Sequence, residues 1–95
     1  MTDCLLKVEL QEFSQIFDAP QQSRGVVQGG VSLIDGKRQV FAERQMTIER
    51  PAASADAHGG VGALVAASTE FGLQVADWLA RLDKDGVLKR CNLGR

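Results

Sequence analysis

The sequence predicts an α+β fold, in which an antiparallel three-stranded sheet is followed by one long amphipathic helix in the order β-β-β-α. Two observations carry this reading. From Ser54 to Leu82, apolar residues recur at Val61, Leu64, Phe71, Val75, Trp78 and Leu82, with Ser68 holding the remaining place in a three-four spacing. That spacing draws one stripe along an α-helix, and Val65 and Leu79 widen it. The opposite side reads Glu70, Gln74, Asp77 and Arg81, the last two at the i,i+4 distance of a helical ion pair. Upstream, three segments alternate apolar and polar residues with the period of a sheet that has one drier face. A helix this one-sided must lie on something, and the strands are what the chain offers.

Cys4 to Phe17 reads as the first strand, with Cys4, Leu6, Val8 and Leu10 alternating against Lys7, Glu9 and Gln11. Parity then changes, because Phe13 and Phe17 belong to the opposite set. Either a bulge near Gln11–Glu12 re-aims the phenylalanines toward the same core, or the strand runs regularly and Leu5, Phe13 and Phe17 face the other way. Asp18-Ala19-Pro20 ends the strand, since proline has no N–H for a ladder, and Gln21 to Arg24 follows as a polar connection. The second strand, Val26 to Ile34, puts Val27, Val31 and Leu33 on one side and Val26 and Ile34 on the other. Gly29 and Gly30 within it point to a bulge or a close approach. Asp35-Gly36-Lys37 predicts a tight hairpin. The third strand, Gln39 to Glu49, faces Val40, Ala42, Met46 and Ile48 one way, interrupted by Arg44, and Phe41 the other.

Pro51 stops the third strand, and Ser54 or Asp56 caps the helix. Gly59, Gly60 and Gly62 each cost about 1 kcal/mol against alanine in a helix interior, so the regular helix is expected to start near Val61. The same glycines let a helix approach another backbone closely. Asp83 to Gly86 closes the helix, and Val87 to Arg95 is expected to fray as a basic tail.

The chain of 95 residues forms a single small domain. A hydrophobic fraction of 44% and a charged fraction of 24% exclude a disordered composition. A formal net charge of −1 gives no electrostatic footprint for nucleic acid or an anionic bilayer. No apolar run approaches the ~20 residues of a membrane span, and the N-terminus has no signal-peptide pattern, which implies a cytoplasmic location if Met1 is the true start. Cys4 and Cys91 lie near opposite ends. They are either free thiols or a terminal disulfide, which the up-down-up-down path of the chain allows by returning to its starting end.

Apolar residues occupy both faces of the expected sheet, and one helix covers only one face. Leu5, Val26, Ile34 and Phe41, with Phe13 and Phe17 in the regular-strand case, are left for the other. Either the sheet twists enough to hide these side chains, or a bare apolar face of that size marks an interaction surface, completed by a second copy or by the rest of a larger mixed α/β domain; the second reading is preferred. Chemistry is sparse. His58-Gly59-Gly60 lacks a nucleophile elbow, Asp83 to Gly86 has its glycine and acids in the wrong places for a calcium loop, and no lysine follows the glycine pairs as in a phosphate loop. No cofactor, metal or catalytic residue is assigned, and the expectation is a non-enzymatic protein.

Three stretches together resemble the ABC-type transport auxiliary lipoprotein component family of MCE-linked and paraquat-inducible intermembrane transport systems. They are Leu6-Lys-Val-Glu-Leu-Gln-Glu-Phe-Ser-Gln-Ile-Phe-Asp18, Gln22-Ser-Arg24 entering the second strand, and Pro51-Ala-Ala-Ser-Ala-Asp-Ala-His-Gly-Gly-Val-Gly-Ala-Leu64 with the helix reaching Ala76-Asp-Trp-Leu79. The resemblance implies that the chain corresponds to the C-terminal half of the family domain. Cys4 does not match the family's lipobox cysteine. It further implies an accessory role in lipid or organic-solute transport on the periplasmic side of a membrane. The protein would act by binding itself, other transport subunits or an apolar ligand, with Phe13, Phe17 and Phe41 as the apolar surface and Gln22, Ser23 and Arg24 as its polar rim. The alternative is a self-associating structural module with no transport role.

Overall fold

A computed structural model describes residues 3–91 of the chain. Strands β1 (Leu5–Ala19), β2 (Gln22–Ile34) and β3 (Val40–Pro51) form one antiparallel sheet in the order β1-β2-β3. The helix α1 (Ala57–Lys84) and a short 3-10 helix η1 (Val87–Cys91) follow. The predicted α+β arrangement is the observed one.

The strands are longer than the sequence suggested. Ala19 pairs with Gln22, so Pro20 and Gln21 alone make the first turn and Gln22 to Arg24 belong to β2 instead of a connection. A polar composition misled here: Ser23 is buried and Arg24 is tied by its guanidinium to Asp18 at 3.1 Å and Glu49 at 2.9 Å. The second turn is closed by Asp35, whose carboxylate accepts the Lys37 N–H at 2.9 Å and the Gln39 N–H at 3.0 Å. Its left-handed residue is Arg38 (φ 64°), where the Asp-Gly pair had pointed to Gly36.

The register of β1 slips between Leu10 and Glu12, which leaves Gln11 as a bulge. The bulge resolves the two readings of β1. Leu6, Val8 and Leu10 pair with Leu33, Val31 and Gly29, and after the slip Phe13 pairs with Val27 and Phe17 with Ser23. All five therefore share the face that carries α1. Gly29 is required opposite the bulge, since a Cβ there would stand 2.7 Å from the Glu9 carbonyl oxygen.

Asp56 caps α1, accepting the Gly59 N–H at 2.8 Å and the Ser54 hydroxyl at 2.7 Å. The helix thus begins at Ala57, a turn before the expected start near Val61. Gly59 and Gly60 are kept within it by crowding, because a Cβ at Gly59 would fall 2.0 Å from the Ser54 carbonyl oxygen. Gly86, at φ 80°, ends the helix region in the left-handed conformation that favours glycine. Residues 87–91, expected to fray, instead fold back as η1 and bury Leu88 and Cys91; residues 92–95 lie outside the described residues.

The core joins Val27, Val31 and Leu33 of β2, Met46 and Ile48 of β3, Ala67, Phe71 and Trp78 of α1, and Leu88 and Cys91 of η1. No residue of β1 is buried. The helix lies above β2 and β3, and it is seated by its smallest residues. Ala63 comes so close to Gly25 that a Cβ on Gly25 would be 2.9 Å from the Ala63 Cβ. Of the expected stripe, Phe71 and Trp78 point down, Leu64, Val75 and Leu82 are half-buried, and Val61 is exposed.

Candidate functional site

Because α1 lies mainly over β2 and β3, much of the inner side of β1 is left open beside it. Leu6, Val8, Leu10, Phe13 and Phe17 form one row along β1 and are between 40% and 57% exposed. The helix supplies the facing wall. Val61, Val65, Ser68 and Gly72 recur at three-four spacing, Leu79 follows two turns on, and all five share one flank. Phe13 meets this flank directly, lining one hollow with Val61, Leu64, Val65, Ser68 and Thr69. At the other end of the groove, Leu6 lines a half-open hollow of about 470 Å³ with Cys4, Leu33, Leu79, Leu88 and Cys91.

The groove is uncharged over most of its length. Gln15 is the one polar residue between Leu10 and Phe17 on that row, and its side-chain amide is spent on the Ser23 hydroxyl at 3.0 Å and the Asp56 carbonyl at 2.9 Å. From Val61 to Ala76 the helix has one charged side chain, Glu70, which turns toward Arg50 of β3 at 3.7 Å. An apolar floor and an apolar wall, with Asp83 the ionisable side chain at the Leu6 end, suit an apolar partner.

The opposite sheet face corrects the expectation of a bare apolar underside. It carries Lys7, Glu9 and Glu12 of β1, and a ladder of glutamines, Gln11, Gln28 and Gln45, joined side chain to side chain across all three strands. Of the residues assigned to that face, Val26 is buried, Ile34 is half-buried and Leu5 is 61% exposed. Val40, expected on the side of Ala42, Met46 and Ile48, is turned to this face by the slip at Phe41, opposite Ile34, and is 50% exposed. The longer unsatisfied apolar row lies on the helix side.

The predicted site residues separate. Phe13 and Phe17 lie in the groove. Phe41 packs against the core near the β2–β3 turn, with the Arg90 guanidinium 4.6 Å from its ring centre, and takes no part in the groove. Gln22 is exposed at the turn end, whereas Ser23 faces inward to Gln15 and Arg24 belongs to the ion-pair cluster with Asp18 and Glu49. The hydrogen bond to Asp18 is the largest reason that the Arg24 guanidinium titrates above its ordinary value. Cys4 and Cys91 are bonded as a disulfide across 87 residues, with Cα atoms 5.2 Å apart, clamping η1 onto the start of β1. Sequence reasoning missed the helical wall, although Val61, Val65 and Leu79 were visible in the widened stripe.

Among the described residues, no three potential metal ligands cluster, and no helix is long and apolar enough to cross a membrane. Comparison with family models, with curated proteins and with solved structures finds no match to this chain.

Proposed function

We propose that the protein is a non-enzymatic accessory component of an ABC-type, MCE-linked lipid or organic-solute transport system, working through the groove between β1 and α1. The observation that carries this reading is an apolar face, about as long as β1, that the protein builds without using it in its own core. Leu6, Val8, Leu10, Phe13 and Phe17 would each lose exposed apolar surface to an occupant, at roughly 25 cal/mol per Å² removed from water. Another subunit or an apolar ligand of the system would supply that cover. The disulfide supports an oxidising compartment such as the periplasm, where such bonds persist. The family resemblance supplies the transport context, and the polar underside keeps the rest of the domain compatible with water.

The test starts with the genes flanking the coding sequence and continues with the purified subunits they encode. A permease, an ATPase and an MCE-domain protein in one operon are expected, with the protein retained on their complex and released by Phe17→Glu. An unrelated neighbourhood together with no retention on such a complex would refute the transport role.

A further inference from the structure

We infer that the occupant of the groove is a second copy of this chain, arranged so that α1 of each copy lies along β1 of the other. The inference rests on reading the groove as a binding face, and it holds whether or not that face serves transport. Three observations on the molecule converge on it.

The first is surface area. A compact 10.2 kDa protein is expected to expose about 5,300 Å². This chain exposes 6285 Å². The surplus, roughly 1,000 Å², is close to the ~800 Å² that each partner contributes to a standard interface. The shape agrees: the extents are 53 × 22 × 16 Å, and the radius of gyration is 16.7 Å against about 12 Å for a compact chain of this length.

The second is the size of the vacancy. Strands lie about 4.8 Å apart, so β1 runs roughly 7 Å to the side of the midline between β2 and β3 on which α1 sits. Helices pack at about 8–10 Å between axes. A neighbouring helix in contact with α1 would therefore rest over β1, which lacks one.

The third is that α1 itself is finished to be that neighbour. Between Val61 and Ala76 its surface away from the sheet carries no charge, and Val61 and Val65 of the groove wall and Leu73 beyond them are each 61% exposed. Gly62 and Gly72 have no atom within 4 Å of where a Cβ would be, so a second backbone can come close at both. A helix apolar on its inner and outer sides belongs in an interior. A two-fold axis satisfies both vacancies at once, because the copy that fills the groove has its own groove filled in return. Pairing of the two β1 edges would extend the sheet but leave both grooves bare, which is why face packing is favoured.

Light scattering on the purified, oxidised full chain at about 50 µM, without detergent, tests the arrangement. The expected mass is twice 10.2 kDa. Val65→Glu and Phe13→Glu alter side chains that the single copy leaves exposed, so helical circular dichroism should persist while the dissociation constant rises roughly tenfold or more. Asp77→Lys, on the polar side of α1, should leave the mass unchanged. A monomer at that concentration would overturn the inference, and so would a dimer indifferent to both groove variants. A monomer that takes up a fluorescent fatty acid into the groove would overturn the second-copy occupant and leave the proposed function standing. A groove-dependent dimer that no transport subunit retains would do the reverse.

Discussion

Asp56 and Asp35 do the same work at two turns. Asp56 is held below the ordinary carboxylate range first by the Gly59 N–H and then by the Ser54 hydroxyl. Asp35 is lowered first by the Gln39 N–H and then by the Lys37 N–H, with Arg90 adding a smaller attraction. A depressed folded value means that the unfolded chain takes up protons first as pH falls. The stabilisation by both carboxylates is therefore complete above the ordinary carboxylate pKa and is lost as pH drops through that range toward the lower folded values. Asp56→Ala should accordingly lower the urea midpoint at about pH 7, and the gap to the parent should close near pH 2. An equal gap at both pH values would mean that the carboxylate does not cap the helix. At this scale the sequence was informative where a side chain bonds its own backbone, because Asp-Gly and Ser-x-Asp report local geometry. It was uninformative about Arg38, since nothing local announces that the left-handed position falls two residues after the glycine.

The helix and the hairpin were legible as elements, because periodicity is a property of neighbouring residues. How α1 sits was not legible, because that depends on which strand offers room. Val-rich β2 and small Gly25 accept Ala63 and Ala67, so the smallest residues turn down and the bulkier Val61 and Val65 turn out. Gly25→Ala tests this seating. The new Cβ would press on Ala63 and on the Leu64 backbone nitrogen at 3.0 Å, and α1 would have to lift. Overpacking of this kind costs about 1–3 kcal/mol, read as a lower urea midpoint with the slope unchanged. The frayed tail was expected because Lys89, Arg90 and Arg95 looked solvated, yet the disulfide and Leu88 hold η1 against the core. Closing a loop of 87 residues constrains the unfolded chain by about 4.5 kcal/mol on the chain-entropy estimate. Reduction, or the double change Cys4→Ser and Cys91→Ser, should remove much of that stability in chemical unfolding. An unchanged midpoint would show that packing of Leu88 alone keeps η1 in place.

The whole molecule is a blade with a polar face of glutamines and acids and an opposite face half roofed by α1. Composition predicted too much apolar surface for one helix to cover, and that surplus is real. Its location could not be read before the Gln11 bulge was placed, since one extra residue transfers Phe13 and Phe17 from one face to the other. Everything functional follows from that transfer: the row on β1 and the flank of α1 become one groove, and the underside is polar around the glutamine ladder, with Leu5 and Val40 exposed at one end. Carbene footprinting across a dilution series addresses this most directly, because it reads the exposure of individual side chains. Leu10, Phe13, Phe17 and Val65 should label strongly at high dilution and be protected together at high concentration, with Glu9, Gln28 and Glu43 unchanged throughout. Protection confined to the glutamine face, or Phe13 and Phe17 already shielded in the dilute chain, would contradict that transfer.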